Sequence, residues 1–555
     1  MSMTEIKSAI LGAIQNAFDI SDAKVELSYP DIQHGQLATN VAFRLAGQVK
    51  QPPQQVAESL AAAIAHPVIA TANAAGGFIN FSLTPQYWIE QASQITPEYG
   101  SSQVGKGHKI QVEFISANPT GPLTLGNGRG GYNGDVLANV LQSAGYQVER
   151  EYYLNDAGNQ INLVRNSIYA VVLGRLTHQP TDHIRGYRGE YIEEWADKVI
   201  ELIQKEHDNP ASLKPDQIEQ LTHRYIDELG VIGSMVDQIK ASVARMGISF
   251  DNWFSELYNL HKTGKVKELV DGLVTGGQAV HKEGAIWLKD AAEDGGDRVL
   301  QKADGSYTYL AADLAYHMDK FSRGFNPVIN LWGSDHAGQV PSIQHGLKLL
   351  NAPGELKILL FQLVRLIKDG KEFKVSKRAG TYVTMDELLD EVSSDVLRFF
   401  FLMRSYNTPM DLDLDLAKEQ SQKNPMYYLM YSYARANSIL EQARQKGLNP
   451  DVVGDLKDLT PEETALIRQM TQLPELLQEI LTDYGVHRLT FYGIEVAQLF
   501  HELYESQKII DLEPAEAQQR LAIIQVYITF MERYFGLLGI TPVKKMESGQ
   551  TPAGV

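Results

Sequence analysis

Three short stretches of this chain hold residue types that could move a nucleotide. Pro122-Leu-Thr-Leu-Gly-Asn127 opens a glycine-rich segment that continues through Gly128 and Gly131. Gly333-Ser-Asp-His336 follows an apolar run, and Lys374-Val-Ser-Lys377 lies in the basic, glycine-ended stretch from Lys371 to Gly380. Free N–H groups and a positive dipole end gather where a helix starts, so a phosphate can sit there. Lysine is a point charge on a flexible stem, suited to a loop that meets pyrophosphate as negative charge develops on it. A phosphate cradle, an acidic turn and a basic loop together point to nucleotidyl transfer, in which a phosphoanhydride is split.

Each stretch needs a strand end to hold it. Lys109 to Ser116 alternates, with Ile110, Val112 and Phe114 on one face, and reads as a strand. Asn118-Pro119 and Gly121-Pro122 break it. A helix follows, with Val136, Leu137, Val140, Leu141 and Ala144 on one side and Gly145 at its stop. Gly126, Gly128 and Gly131 also fit G-x-G-x-x-G, and Glu149 or Glu151 falls about 20 residues on, where a dinucleotide site wants a ribose-binding acid. A tight strand-to-helix turn without a ligand fits the same glycines. A dinucleotide oxidoreductase is a further reading, but it explains neither the lysine loop nor the helical end of the chain.

Strand and helix alternate from about 106 to 405. Gln147 to Leu154 is a second strand, after which Asn155 or Asp156 can cap the next helix. Residues from about 163 to 250 are mostly helical and read as an insertion between halves of the sheet. Val328 to Trp332 is again a strand, followed after Gly338 by a helix to about Leu350. Leu356 to Leu366 is an apolar run, Lys368-Asp369-Gly370 a turn, and Thr384 with Glu387 a capping box. Before this region, Met3 to Phe18, Leu37 to Leu45 and the segment opened by Pro52-Pro53 have helical patterns, and Phe78 to Phe81 is a short strand. After it, residues 406 to 543 read as all-helical, with Tyr427, Tyr428, Tyr431 and Tyr433 on one helix. The expected divisions are 1–105, 106–405 and 406–555.

The chain has 555 residues, more than the roughly 250–300 at which a single core stops growing, so about three domains are expected. Its absence of cysteine excludes disulfides and thiolate catalysis and fits the cytoplasm. No apolar run approaches the roughly 20 residues of a membrane span, and no secretory signal is visible. The net charge of −18 means that any RNA partner needs local basic surface on an acidic background.

The chain resembles class I aminoacyl-tRNA synthetases, and among them the arginyl-tRNA synthetase family, over nearly its whole length. Pro122 to Asn127 falls at the class I "HIGH" position and Lys374-Val-Ser-Lys377 at the "KMSK" position. More specific to the arginine family are Val112 to Pro122, Tyr152 to Gln160, Asp411 to Leu416, Asn424 to Tyr428 and Tyr433-Ala-Arg435. His34-Gly35 and Ala38 to Ala42 add to these. The resemblance implies a Rossmann-like parallel-sheet catalytic domain with a helical insertion, a small N-terminal α/β domain and an all-α C-terminal bundle. It implies ATP-dependent activation of L-arginine and its transfer to the 3′ end of tRNA(Arg), with Mg2+ on the phosphates and tRNA needed before the adenylate forms. A cytoplasmic monomer without membrane attachment is expected.

The same resemblance implies residue roles. Glu113, Asn118, Tyr309 and Asp313, with Gln339, would hold arginine. A planar guanidinium wants carboxylates that accept paired hydrogen bonds, and one helical turn separates Tyr309 from Asp313, so both can face one way. Gly126, Gly128, Gly333, Asp335 and His336 would meet ATP, and Lys374, Ser376 and Lys377 would stabilise pyrophosphate. The N-terminal unit would touch the outer corner of the tRNA and the C-terminal domain its anticodon arm. Thr124 and Asn127 stand where the HIGH histidines are expected. Asn127 donates an amide but carries no charge, so stabilisation is lost there unless Arg129 or a loop lysine supplies it. That departure motivates an alternative, a catalytically impaired synthetase-like protein that binds tRNA.

Overall fold

The computed structural model describes residues 3–289, 298–373, 383–449 and 458–546. Lys374, Ser376 and Lys377 lie outside the described residues.

The N-terminal unit packs the Met3–Phe18 helix, through Ile6, Ile10 and Ile14, with an antiparallel sheet. Its strands are β1 (Leu37–Thr39), β2 (Ile69–Ala75) and β3 (Phe78–Leu83), in the order β1-β3-β2. Gly76 and Gly77, at φ +57° and +86°, make the tight β2–β3 turn, where two left-handed residues suit the strand twist. The helical reading of Leu37 to Leu45 is corrected here. Leu37–Thr39 pairs with β3, and the helix runs from Val41 to Val49. Pairing with a sheet supplies hydrogen bonds that a local apolar pattern cannot anticipate.

The centre is a five-stranded parallel sheet in the order β11-β10-β4-β5-β6. It comprises β4 (Lys109–Glu113), β5 (Gln147–Leu154), β6 (Asn252–Ser255), β10 (Val328–Gly333) and β11 (Leu356–Phe361). Helices cover both faces, so four consecutive residues of β4, Ile110 to Glu113, are buried and the expected alternation is lost. From β4 the chain builds outward to β5 and β6, then returns to the other side of β4 for β10 and β11. The reversal point lies between β4 and β10, where open α/β sheets bind ligands. A small sheet of β7 (Ala279–Lys282), β8 (Ala285–Leu288) and β9 (Val299–Gln301) sits before β10. After β11, β12 (Val364–Lys368) turns through Asp369 and Gly370 into β13 (Lys371–Phe373) and pairs with β14 (Met410–Asp413), which corrects the all-helical reading from 406, since β14 completes a sheet begun by distant strands.

The insertion between β5 and β6 has helices Asn159–Thr177, Glu190–Glu206, Pro215–Glu228 and Val231–Arg245 around their own core of Ile168, Val172, Ile192, Val199 and Ile226. The expected side-chain cap at its start is corrected. Gly158 is the N-cap, and Asp156 instead accepts from the Leu257 amide at 2.9 Å and the Ser255 hydroxyl at 2.6 Å. Asp156 therefore ties the insertion to the end of β6.

The C-terminal helices run Pro425–Gln445, Pro461–Met470, Leu473–Asp483, Arg488–Ser506 and Pro514–Leu538. The last is long and apolar enough to cross a membrane, but 67% of its most apolar window is buried inside the molecule. Tyr433 is a core residue whose hydroxyl bonds Glu532 at 2.8 Å, whereas Tyr427 and Tyr431 stack half-buried beside His501. Polar links fasten this bundle to the other units. Arg468 Nε donates to the Gln36 carbonyl at 3.0 Å, and Arg398 Nη1 donates to Asp135 at 2.6 Å and to the Leu538 carbonyl at 3.3 Å.

Candidate active site

A cleft of about 1270 Å³ opens at the carboxyl ends of β4, β10 and β11. Asn118, Thr124, Gly126 and Asn127 line one wall, and Gly333, Asp335 and His336 another. The expected cradle and acidic turn therefore share one cavity. β13 carries the chain to the cleft rim at Phe373, the last described residue before the basic stretch that holds Lys374, Ser376 and Lys377.

The wall after β4 bends sharply. Ile115 and Ser116 hold φ of +67° and +40°, and a β-branched residue in that region is strained. Local hydrogen bonds hold the bend. The Ser116 hydroxyl donates to Glu113 Oε1 at 2.9 Å and accepts from the Tyr153 amide at 3.1 Å, and the Tyr152 hydroxyl donates to the Ala117 carbonyl at 2.9 Å. At the start of the Leu125–Ser143 helix, the Thr124 amide and hydroxyl donate to Asn127 Oδ1 at 3.0 and 2.8 Å. Asn127 thus spends its oxygen on capping and keeps Nδ2 as the donor it can offer to the cleft.

The glycines divide by job. Gly126 is exposed in the cleft. Gly128, expected to meet ATP, does not line it; a Cβ there would lie 2.3 Å from Met385 Sδ. Gly131 is likewise a packing position, 2.9 Å from Ile115 Cδ1 by the same measure. Arg129 is no spare charge either. It is fully buried and donates to the carbonyls of Gln362, Ser405 and Thr408, each at 2.8 Å.

Acidic side chains converge at the far end. Glu113, at the end of β4, is 4% exposed, and its Oε2 accepts from Lys320 Nζ at 2.5 Å. Lys320 is wholly buried and also donates to Asn330 Oδ1 at 2.9 Å. Asp313 lies one turn after Tyr309 on the Tyr309–Ser322 helix, half-buried, and among the described residues no hydrogen bond to its carboxyl is found. Burial first, then the charges of Glu256 and Glu113, push its pKa up to about 8, with Lys320 opposing. Glu256, just after β6, is buried and lies 2.9 Å from His261 Nε2. The Tyr309 hydroxyl bonds Gln160, which also accepts from Tyr187 of the insertion.

Burial, then the Lys320 charge, lowers His317 to about 3, so its ring is neutral. The network assigns its proton to Nδ1, which donates to the Asp313 carbonyl at 2.6 Å, while Nε2 accepts from Asn330 Nδ2 at 2.8 Å. Glu151, a candidate ribose acid in the dinucleotide pattern, is wholly buried and paired with Arg323 at 2.6 Å; Glu149 meets the same arginine at 3.0 Å. Both acids are committed to structure.

Of the expected residues, then, Asn118, Thr124, Gly126, Asn127, Gly333, Asp335 and His336 gather on the cleft wall. Glu113, Asp313 and Tyr309 form the adjoining acidic group, Gln339 is exposed at the end of the Ser334–Gln339 turn off the cleft wall, and Gly128 faces Met385. Sequence reading missed Glu256, Lys320 and the insertion residues Gln160, Tyr187, Arg188 and Tyr191, which also approach the site.

A parallel sheet with its cleft at the reversal point, a helical insertion and a helical C-terminal bundle define a class I aminoacyl-tRNA synthetase. Family models match along the chain in this order: an arginyl-tRNA synthetase N-terminal domain over residues 4–83, a class I (R) tRNA-synthetase catalytic domain over 91–400, and a DALR anticodon-binding domain over 429–546. An arginine–tRNA ligase of Aquifex aeolicus is 36% identical over 580 aligned residues, covering 98% of this chain and 99% of its own. One from Desulfitobacterium hafniense is 39% identical over 529, covering 93% and 92%. The structure of the Thermus thermophilus arginyl-tRNA synthetase shares the fold, with a TM-score of 0.73 at 19% identity over 98% of this chain and all of that one. The chain belongs to the arginyl-tRNA synthetase family. Its activity is ATP-dependent ligation of arginine to tRNA.

Proposed function

We propose that Asp313 and Tyr309 take the guanidinium of arginine, that Glu113 contributes negative charge beneath them, and that Asn118 on the cleft wall orients the rest of the amino acid. The observation that carries this reading is the half-open carboxyl of Asp313, unengaged among the described residues and coupled electrostatically to Glu113 and Glu256 beside the cleft. ATP lies along the opposite wall, its phosphates over Gly126 and the Asn127 amide and its nucleoside toward Gly333, Asp335 and His336. The arginine carboxylate attacks the α-phosphate, and pyrophosphate leaves toward Lys374, Ser376 and Lys377. A terminal tRNA hydroxyl then takes the arginyl group. Mg2+ rides on the phosphates, so no side chain is named for it. The protein works as a cytoplasmic monomer, with tRNA contacts spread over the divisions 1–105, 106–405 and 406–555.

Thr124 and Asn127 serve as cap and neutral donor, with the positive charge left to the loop lysines. ATP–pyrophosphate exchange in the presence of tRNA tests the scheme. Exchange that needs arginine and fails in Asp313→Asn supports it, and absence of exchange in the folded wild-type protein would revive a binding-only role.

A further inference from the structure

Resting on the arginine site proposed above, the structure carries one further assignment. Three carboxylates meet there: Glu113 from the end of β4, Glu256 from the end of β6 and Asp313 from the Tyr309–Ser322 helix. One cationic ligand cannot balance three carboxylates, two of them buried, and unpaired buried charge is expensive. The protein supplies partners for two. His261 meets Glu256 at 2.9 Å, and Lys320 meets Glu113 at 2.5 Å. Lys320 has no solvent exposure, so its ammonium is held entirely by Glu113, by Asn330 at 2.9 Å and by the face of Tyr316, 4.1 Å away.

We propose that Lys320 is the internal counter-ion of the arginine pocket: it neutralises Glu113, leaves Asp313 as the carboxyl that receives the guanidinium, and thereby sets the pH at which arginine binds. In the empty pocket at neutral pH, Asp313 carries a proton, because burial and the nearby Glu256 and Glu113 disfavour its charge. Arginine enters as a cation, the Asp313 O–H bond breaks, its proton leaves to solvent, and the carboxylate pairs with the guanidinium. The guanidinium brings one positive charge and the departing proton removes one, so the net charge of the pocket does not change on binding. Tyr153, Tyr309 and the neutral His317 complete the titratable groups around Asp313, and none carries charge near pH 7.

Lys320 acts through Asp313 and is a positioning residue, so the test reads a pH midpoint. Arginine binding to the full-length protein is followed by calorimetry from pH 6 to pH 9.5 in buffers of different ionisation enthalpy. Wild type is expected to release close to one proton below pH 8 and none well above it. Lys320→Met removes the opposing charge and moves the midpoint of proton release up. Glu113→Gln moves it down, and the double variant, which removes both charges together, returns it toward the wild-type value. The double variant also guards against a single variant that fails to fold, since neutral isosteres replace both partners. Midpoints that coincide in all four folded proteins would overturn the counter-ion role. Unchanged arginine affinity and proton release in Asp313→Asn would instead overturn the underlying assignment of the pocket.

Discussion

The two ends of the cleft are built on opposite principles. At the arginine end, charge is fixed in the fold: Glu113, Lys320, Glu151 and Arg323 are held on strands and one helix, with Glu113, Lys320 and Glu151 almost without exposure. At the phosphate end, the start of the Leu125–Ser143 helix presents neutral groups to the cleft. Gly126 and the Thr124–Asn127 cap line the cleft, and Arg129, the nearest cation on that helix, is spent on three carbonyls. A small cation of constant shape suits a rigid, prepaired pocket. A triphosphate whose charge moves during reaction suits neutral donors in place and cations delivered by a loop.

The contrast can be broken from either end. The largest effect is expected for Asp313→Asn, which keeps the shape of the site and removes the charge. Losing one partner of a desolvated charged hydrogen-bonded pair costs about 2–5 kcal/mol, so kcat/KM for arginine should fall by roughly 30-fold to several thousand-fold, with KM for ATP unchanged. Lys377→Ala should show the reverse pattern. Its kcat in charging falls by about 10²–10³, the scale of losing one transition-state donor, while arginine binding holds. Equal effects of the two variants on both substrates would erase the distinction.

Smaller effects sharpen it. Because Asp313 must lose a proton when arginine binds and its pKa sits at about 8, arginine affinity should rise with pH up to that value and then level off. The expected slope is about tenfold per unit. The sign follows from an acid whose pKa is raised in the empty site and lowered by the cation. ATP affinity measured on the same samples should not follow that curve. Gly128→Ala pushes a methyl against Met385 and should cost about 1–3 kcal/mol in chemical unfolding, with ATP affinity kept once folded. Thr124→Ala leaves Asn127 one donor short and should cost about 1 kcal/mol by the same assay.

These ends also differ in how well they could be read from residues alone. The cradle, the acidic turn and their shared sheet edge were legible because strand breaks and glycines mark backbone geometry directly. β5 and the Met3–Phe18 helix fall where the apolar pattern puts them. Gly128 was misread because a missing side chain does not say what fills its space; here that is a methionine some 250 residues away, beyond any local pattern. Lys320 was overlooked because a lysine on an amphipathic helix is normally solvated, and only packing of that helix onto β4 reveals its buried partner. Leu37–Thr39 became a strand for a related reason, since its partner β3 lies more than 40 residues downstream. Local chemistry was readable, and long-range charge and steric pairing were not.

The most direct test of the central claim is a crystal structure of the protein with arginine and a non-hydrolysable ATP analogue. The guanidinium should lie on Asp313 through paired hydrogen bonds of about 2.7–2.9 Å, with Lys320 still on Glu113 and the phosphates over Gly126. A guanidinium bound elsewhere in the cleft, with the Asp313 carboxyl untouched, would contradict the account.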